Sequence, residues 1–441
     1  MFTLNNNFFQ KRNLKDELLI NICYVLMSVL FILRTIPYFS QAGDQTWFAS
    51  QAIKYNYNYL QFGIDRYFNW SSRLLIESAT MFFSVHQTLF VVFIFILLVV
   101  FWKTLANIFL SDNSFAMKMS IPILFMILFT GNFYSGAGVI PNMVNYFLPM
   151  CSLVLAWNFI NKDIKIYRIA SFFFIIFACM QEQFAIFSFA MFLYFTVEHF
   201  MTRKKINICY FSALLISVLG LLSAIFSPGN GSRKIVETMT HYPTFNSIST
   251  LNKLYDGFME TSRVLFLDNT ELNFIFLLLI VILVVSIIKK EYLTIFMISV
   301  ILYCTLFHHL GIDTPLNTIQ KIVDENPNLV LFSKNYQLAL YPVTLYFLFL
   351  LIIGFSIFRI FTNFKTGIFV LFIVVTGYLS RLAISFSPTI YVSGIRTFEP
   401  LIFASFIAIL FMINELSMFF KLSNLERGKN EKTIYHCSLL Q

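Results

Sequence analysis

The chain has 441 residues, of which 58% are hydrophobic and 12% are charged, and its mean hydropathy is +0.75. An ordinary soluble domain is about 25% charged, and one soluble core of this size does not accommodate 56 phenylalanines, so the composition excludes a soluble globular protein. The net charge of +9 does not indicate nucleic-acid binding, because the cations stand in short segments between apolar runs, as in membrane proteins.

The apolar runs are continuous and about twenty residues long, which is the length that an α-helix needs to cross a membrane. A β-barrel would instead show alternating segments of about ten residues. The sequence therefore predicts an all-α polytopic membrane protein, with a single domain over residues 1–421 and a polar tail at 422–441. Its twelve predicted membrane segments are 18–39, 86–110, 118–135, 140–160, 168–181, 183–200, 207–227, 272–288, 292–311, 337–357, 367–386 and 399–420.

The first apolar segment is similar to a secretory signal peptide, since basic residues precede it and Ser40-Gln41-Ala42 follows it. Its apolar run is longer than the roughly 7–15 residues that are usual in signal peptides. We therefore predict an uncleaved first span.

Residues 168–200 form one apolar stretch that is too long for one span and too short for two full ones. We predict a hairpin of two short helices here, a geometry that protein or a cavity must cover. With this hairpin and a cytoplasmic N-terminus, most Lys and Arg residues fall in short cytoplasmic segments, as the positive-inside rule requires. Both termini are then predicted to be cytoplasmic.

Three long segments face the other side of the membrane in this topology, at 40–85, 228–271 and 312–336. The cytoplasmic connections are short, so no catalytic domain is expected there. Loops of the exterior length are usually functional, which places the predicted chemistry on the exterior side.

The stretch GDQTWF begins the first exterior loop and contains Asp44. A carboxylate at the membrane edge is partly desolvated, and this raises its pKa toward the range of a general base. The alternative is that Asp44 caps the helix predicted from the residues that follow it. The same loop carries Asp65, Arg73 and Glu77.

The stretch SPGNGSRKIVE, at residues 227–237, follows a predicted span. Its Pro and Gly residues interrupt the helix and leave backbone N–H groups free, and Arg233 and Lys234 come directly after them. This combination suits a phosphate. The alternative is an ordinary helix end with cations at the membrane interface.

A third stretch, at residues 378–400, contains Arg381, Arg396 and Glu399. A charged residue at membrane depth is costly and indicates function, which makes Arg381 a candidate binding residue. The alternatives are that the Arg381 side chain extends to the interface and that Arg396 pairs with Glu399.

Two further polar positions flank predicted membrane segments. Glu182 lies at the tip of the predicted hairpin, where its carboxylate faces either a polar cavity or solvent. His309 and Asp313 are spaced i, i+4 and share a face if the helix continues that far. No further ligand pattern accompanies them, so hydrogen bonding to a substrate is favoured over a metal site. The six cysteines show neither metal-ligand nor disulfide spacing, and we predict no cofactor, with a divalent metal left open.

All of these features lie on the predicted exterior side. A carboxylate beside several arginines suits an anionic lipid-linked donor, because the arginines stabilise the leaving phosphate and the carboxylate deprotonates an acceptor hydroxyl. The pattern therefore indicates group transfer at the outer membrane surface.

Four short stretches carry a resemblance to a known class of enzyme. They are GDQTWF after the first span, FNWSSRLLIE later in the same loop, SPGNGSR after a middle span and SGIRTFEP before the last span. With its length and span count, the chain resembles the GT-C class of polyprenyl-phosphate-sugar glycosyltransferases. Within that class it looks like the serotype-converting O-antigen glucosyltransferases, over nearly the whole chain.

The resemblance implies a periplasmic active site in the bacterial inner membrane. The implied donor is undecaprenyl-phosphate glucose, made and flipped by partner proteins, and the implied acceptor is a hydroxyl of lipid-linked O-antigen. On this reading Asp44 is the general base and Trp70 stacks on a sugar. The residues that the resemblance implies for binding of the donor or the acceptor are Arg73, Arg233 and Arg396.

Some alternatives stay open at this point. Related enzymes often carry two adjacent acidic residues where this chain has Asp44-Gln45, so Asp65, Glu77 and Glu182 are rival bases. An O-antigen polymerase would transfer a whole oligosaccharide from a polyprenyl diphosphate, although the acid directly after the first span favours a monosaccharide transferase. A flippase or transporter would carry charges deep within several spans and internal symmetry, and the sequence shows neither.

Overall fold

The computed structural model describes residues 14–39, 43–111, 113–131, 137–268, 272–326 and 336–438, and within these ranges it describes the side chains from Lys15 to Leu422 other than those of Leu272 and Asn273. Within these ranges the chain is helical and has no strand. Nine of the described helical segments are long and apolar enough to cross a membrane. The architecture agrees with the predicted polytopic helical membrane protein.

Each of the twelve predicted membrane segments contains a helix. They are α1 (Leu14–Phe39), α5 (Gln87–Phe109), α6 (Phe115–Leu128), α7 (Val139–Asn142) continued by α8 (Leu148–Ile160), α9 (Lys165–Ala178), α10 (Glu182–Arg203), α11 (Ile208–Phe226), α14 (Leu272–Lys289), α15 (Tyr292–His309), α17 (Tyr336–Arg359), α18 (Phe364–Leu382) and α19 (Glu399–Ser438). Helices α6 and α9 have 14 residues each, which is too short to cross a bilayer unaided. Helix α19 continues through the predicted polar tail, which is rich in good helix formers such as Lys, Glu and Leu.

The predicted exterior loops are also largely helical. The first loop forms α2 (Asp44–Lys54), α3 (Tyr59–Asn69) and α4 (Leu74–Val85), the second forms α12 (Pro228–His241) and α13 (Thr250–Phe266), and the third contains α16 (Pro315–Glu325). Helix α12 packs against α3, and α13 packs against the end of α18. We call the end of the bundle that carries these helices the loop end.

The predicted hairpin at residues 168–200 is present as two helices. Helix α9 ends at Ala178 and α10 begins at Glu182, where the side chain of Gln181 accepts a hydrogen bond from the N–H group of Phe184 at 2.8 Å. The second helix, α10, is longer than the predicted segment at 183–200. It has 22 residues, which is long enough to span a membrane.

Two helical segments form the centre of the bundle. The segment from α7 to α8 is 94% buried over its apolar window and α19 is 78% buried, whereas α11 is 11% buried and lies at the periphery. A π-helical turn at Met143–Phe147 joins α7 to α8, and such turns often mark functional positions in a helix. This central segment brings the amides of Asn142 and Asn145 to the loop end.

The beginning of α2 is attached to the beginning of α7. The backbone N–H of Asp44 donates to the carbonyl of Ala137 at 2.8 Å. A Cβ atom on Gly43 would lie 2.7 Å from that carbonyl oxygen, so only glycine allows this close approach. The position of Asp44 is therefore set by the central segment rather than by the loop alone.

Candidate functional site

Side chains from six parts of the chain meet at the loop end. The carboxylates are Asp44, Glu77, Glu182 and Glu237, and the cations are Arg66, Arg73, Arg233 and Arg396. We call this set the charged cluster. The cluster contains residues from all four stretches that carry the resemblance, namely GDQTWF, FNWSSRLLIE, SPGNGSR and SGIRTFEP. It has four acidic and four basic side chains.

Arg73 and Glu182 form the strongest ion pair of the cluster. The Nη2 and Nε atoms of Arg73 lie 2.6 and 2.9 Å from Oε2 of Glu182, and its Nη1 donates to Oδ1 of Asn145 at 3.0 Å. Ser72 also donates to Glu182, at 3.3 Å. Glu182 therefore faces a polar cluster and not bulk solvent, and Arg73 is fully engaged within the protein.

We expect Glu182→Gln to lower stability, because it leaves the partly buried Arg73 guanidinium without its counterion. The cost of breaking a buried ion pair is about 3–5 kcal/mol, and solvent screening reduces it here to roughly 2 kcal/mol. Asp163→Asn is the matched control, since it breaks an exposed pair with Arg168 at 3.1 Å. The measurement is the melting temperature of each variant in detergent. Equal melting temperatures would show that the Arg73–Glu182 pair stabilises the protein no more than the exposed Arg168–Asp163 pair does.

Arg66 is held between two indole rings. Its guanidinium carbon lies 5.1 Å from the Trp47 ring centroid and 5.0 Å from that of Trp70, and its Nε donates to Oε2 of Glu77 at 3.0 Å. Such stacked and paired arginines are geometrically fixed. The predicted sugar-stacking role of Trp70 stays a prediction, and the observed partner of its ring is Arg66.

Helix α12 contributes a row of polar residues at helical spacing. Arg233 lies 3.4 Å from Glu237, and Glu237 lies 3.4 Å from His241. The stretch SPGNGSR is therefore not the open loop that was predicted: the helix is interrupted only at Ser227, and α12 begins at Pro228. Pro suits this first helical position because its missing N–H is not needed there.

Asp44 is the carboxylate of the cluster that has no direct partner. Among the described residues no cation lies within 4.0 Å of it, and its side chain is in contact with solvent. The helix-cap interpretation is wrong, because Asp44 is the first residue of α2, Gly43 is the N-cap and no side-chain cap bond forms. The surrounding protein desolvates the Asp44 carboxyl and raises its pKa, Arg396 opposes this shift, and Glu77 adds to it.

The rival bases have other partners. Asp65 accepts a hydrogen bond from Nε2 of Gln61 at 2.9 Å, Glu77 accepts from Arg66, and Glu182 accepts from Arg73. A general base needs a free lone pair that reaches the proton it takes. Each carboxylate keeps further lone pairs, but of the four candidates in the described part of the chain Asp44 is the one whose side chain accepts no hydrogen bond from another side chain.

Arg396 is the arginine of the cluster whose protein partners are neutral. Its Nε donates to the carbonyl of Ser393 at 2.9 Å, and its Nη1 lies 3.4 Å from Oδ1 of Asn142. The predicted pairing with Glu399 is wrong. Glu399 begins α19 and is fully buried in the bundle, and neither of its carboxylate oxygens has a hydrogen-bond partner among the described residues.

Two of the predicted motifs contact each other through a glycine. The hydroxyl of Ser227 donates to the carbonyl of Tyr67 at 3.0 Å. Next to it, a Cβ atom on Gly229 would lie 2.2 Å from the backbone nitrogen of Trp70. The backbone of Gly229 packs directly on the backbone of Trp70 and Ser71. Rotation of a side chain therefore cannot make room for a Cβ atom at Gly229.

We expect Gly229→Ala to destabilise the protein by about 1–3 kcal/mol, the usual cost of overpacking. Gly231→Ala on the same helix is the matched control, because a Cβ atom there meets nothing within 4 Å and alanine is the better helix former by about 1 kcal/mol. Melting temperatures of the two purified variants test this. A Gly229→Ala protein as stable as the Gly231→Ala protein would contradict the close contact.

Three predicted binding residues lie outside the charged cluster. Lys234 points to Phe245, with its Nζ 5.6 Å from the ring centroid. Arg381 is buried with its guanidinium 4.3 Å from the Phe398 ring, so the interpretation that it extends to the membrane interface is wrong. Its Nε and Nη1 have no hydrogen-bond partner among the described residues.

His309 is the last residue of α15 and contacts the neighbouring His308 ring. The predicted shared helix face with Asp313 does not form, because the helix ends before Asp313 and Gly311 adopts a positive φ of 75°. In the ranges that the structure describes, no group of three or more His, Cys, Asp or Glu side chains is placed to hold a metal ion.

Sequence reasoning missed several members of the site. Asn142 and Asn145, three residues apart in an apolar segment, gave a signal, because amides at membrane depth usually have a polar partner. Glu237 and His241 follow Arg233 at i+4 and i+8 and would have been found if a helix had been predicted there. Arg66 carried no distinguishing pattern.

No protein-family model, no curated protein and no solved structure matches this chain.

Proposed function

We propose that the protein is a membrane glycosyltransferase that moves a glucosyl or other hexosyl unit from an undecaprenyl-phosphate sugar to a hydroxyl of lipid-linked O-antigen. The observation that carries the proposal is the placement of Asp44, a carboxylate without a direct partner, beside Arg396, an arginine whose partners are neutral. A base with a cation in electrostatic range of it, each without an ionic partner, is what transfer from a sugar phosphate needs.

In the proposed step, the acceptor hydroxyl gives its proton to Asp44 while its oxygen forms a bond to C1 of the donor sugar. The bond between C1 and the phosphate oxygen breaks, and the electron pair leaves on undecaprenyl phosphate. Arg396 stabilises the negative charge that develops on this phosphate. No cofactor is required by this balance of atoms and charges.

The remaining arginines have different proposed roles. Arg73 holds Glu182 and Asn145, so it positions the central segment rather than binding phosphate directly. Arg233 makes a single long contact of 3.4 Å to Glu237, which leaves it as the second phosphate ligand. Arg66 orients Glu77 and the two indole rings beside Asp44.

An apolar groove supports a lipid-linked donor. It has a volume of about 220 Å³, lies between the loop-end halves of α1 and α5, and is lined by Val29, Ile32, Leu33, Val91, Val92 and Phe95. Helix α1 leads from this groove toward Asp44. The proposal places an isoprenoid segment of the donor in this groove, with its phosphate directed along α1 toward the charged cluster.

The proposed topology is that of the GT-C class, with twelve crossings, both termini in the cytoplasm and the loop end in the periplasm of the inner membrane. The short helices α6 and α9 cross only with the cover of their neighbours. Donor synthesis and flipping by partner proteins are part of the proposal.

The test is the O-antigen structure, by mass spectrometry and NMR, in cells that make and flip the donor, with and without this gene. The proposal predicts one added hexose per repeat unit when the gene is present. Altered chain length without an added sugar would favour a polymerase instead, and no change in the O-antigen would overturn the proposal.

A further inference from the structure

Two lysines of different helices share one aromatic ring at the loop end. Nζ of Lys234 on α12 lies 5.6 Å from the Phe245 ring centroid, and Nζ of Lys253 on α13 lies 4.1 Å from it. Phe245 is buried, so it holds both ammonium groups in place by cation–π contact. The fold thus brings together two like charges that repel each other.

No carboxylate compensates this pair. Within the described residues neither lysine has an acidic group within 4.0 Å. The nearest acidic residues along each helix are otherwise engaged: Glu237 is held by Arg233, and Asp256 accepts a hydrogen bond from the hydroxyl of Tyr242 at 3.1 Å. The pKa of Lys253 is lowered by burial and by the charge of Lys234.

Helix α12 has an exposed apolar face, which lies about 100–200° round the helix from Lys234. Helix α12 exposes Ile235, Val236 and Met239, and the preceding helix α11 ends with an exposed Phe226. Helix α11 is long and apolar enough to span a membrane, so α12 begins where that helix leaves the bilayer. An amphipathic helix at this depth lies in the interface with its apolar face in the lipid.

The two charged parts of α12 face different directions. Arg233 and Glu237 are four residues apart and face the charged cluster, whereas Lys234 is turned by about 100° from Arg233 and faces Phe245. Lys234 also lies about 60° round the helix from Glu237, so the lysine pair borders the charged cluster on the same half of α12 and contacts Phe245 rather than the cluster.

We propose that Lys234 and Lys253 bind the phosphate headgroup of an anionic phospholipid in the leaflet that borders the loop end. The lipid compensates the two ammonium groups, while the exposed apolar face of α12, which is turned away from Lys234, lies in the bilayer. This binding holds α12 at the membrane surface with Arg233 and Glu237 turned toward the charged cluster. The inference goes beyond the proposed function, since it concerns a second ligand held by two lysines that are not members of the charged cluster.

The test is native mass spectrometry of the purified full-length protein, titrated with phosphatidylglycerol or with phosphatidylcholine. We expect the double variant K234Q/K253Q to bind phosphatidylglycerol roughly 30-fold more weakly, at about one kcal/mol for each lysine, and phosphatidylcholine unchanged. The variant K234R/K253R keeps both charges and should retain the affinity, which separates loss of charge from loss of folding.

The matched control is K54Q/K321Q, which removes two exposed loop-end lysines that lie away from Phe245. An equal loss of phosphatidylglycerol in this control would mean diffuse attraction and would overturn the site. Displacement of phosphatidylglycerol by equimolar undecaprenyl phosphate would assign the lysines to the donor and would also overturn it. Because neither sugar donor nor acceptor is present, the outcome does not depend on whether glycosyl transfer is correct.

Discussion

Asp44→Asn is expected to lower the rate of glycosyl transfer by about 10²–10⁴-fold, the usual contribution of a general base. The amide keeps the size of the side chain and cannot accept the proton of the acceptor hydroxyl. Because Asp44 forms no ion pair and no side-chain cap within the described structure, the substitution breaks no structural contact. The measurement is the initial rate of hexose transfer by purified protein from undecaprenyl-phosphate glucose to a lipid-linked acceptor.

Asp65→Asn serves as the control for this experiment. Asp65 lies in the same group of loop helices and was a rival base, but its carboxylate accepts a hydrogen bond from Gln61. We expect transfer by this variant to stay near the wild-type rate. Full activity of the Asp44→Asn protein would remove Asp44 as the base and return the role to Glu77 or Glu182. The melting temperature of each variant establishes that the folded fraction is unchanged.

The positions of the membrane helices follow directly from the sequence. An apolar run of about twenty residues has one stable conformation in lipid, because every backbone polar group must be satisfied within the segment. The hairpin at 168–200 was predicted as two helices because its length fits neither one span nor two. The structure adds that Gln181 caps the second helix, a local signal that length alone does not use.

The members of the charged cluster were mostly predicted, whereas their partners were not. Arg73 and Glu182 are 109 residues apart, and no local pattern relates them. The same holds for Arg396 and Asn142, which are 254 residues apart. Partner choice depends on which helix ends meet, and this is decided by packing across the whole bundle.

The second loop shows how a local error propagates. The sequence predicts that Pro and Gly interrupt the helix in this stretch, and without a helix Arg233 and Lys234 have no fixed relative direction. In a helix that begins at Pro228, adjacent residues differ by about 100°. Arg233 therefore belongs to the charged cluster, and Lys234 faces Phe245 together with Lys253.

The three ion pairs of the cluster explain why Asp44 and Arg396 are the reactive candidates. Arg66 with Glu77, Arg73 with Glu182 and Arg233 with Glu237 each compensate one another. The two remaining charges have no direct ionic partner within the described residues, and Arg396 influences the pKa of Asp44. Asp44 and Arg396 are thus the two charges of the cluster without an ionic partner, and Arg233, with its single long contact to Glu237, is the second arginine that the proposal assigns to phosphate.

Arg396→Gln is expected to lower the transfer rate by roughly 10²-fold, the cost of removing one donor that stabilises charge in a transition state. It should also change the pH dependence. Arg396 lowers the pKa of Asp44 against the larger effect of desolvation, so its removal raises the pKa of Asp44 further. A general base works only when deprotonated, and the acidic limb of the kcat/KM profile should therefore move to higher pH.

Arg396→Lys separates the two effects. Lysine keeps the positive charge, so the acidic limb should stay near its wild-type position, but a single ammonium does not reproduce the fork of donors that arginine offers a phosphate. A reduced rate without a shift of the limb is the expected result for this variant. If the Gln variant leaves the limb in place or moves it to lower pH, Asp44 and Arg396 are not coupled, and the titrating base lies elsewhere. The pair then no longer supports transfer from a sugar phosphate, because the charge that binds the leaving group and the charge that tunes the base would belong to different sites.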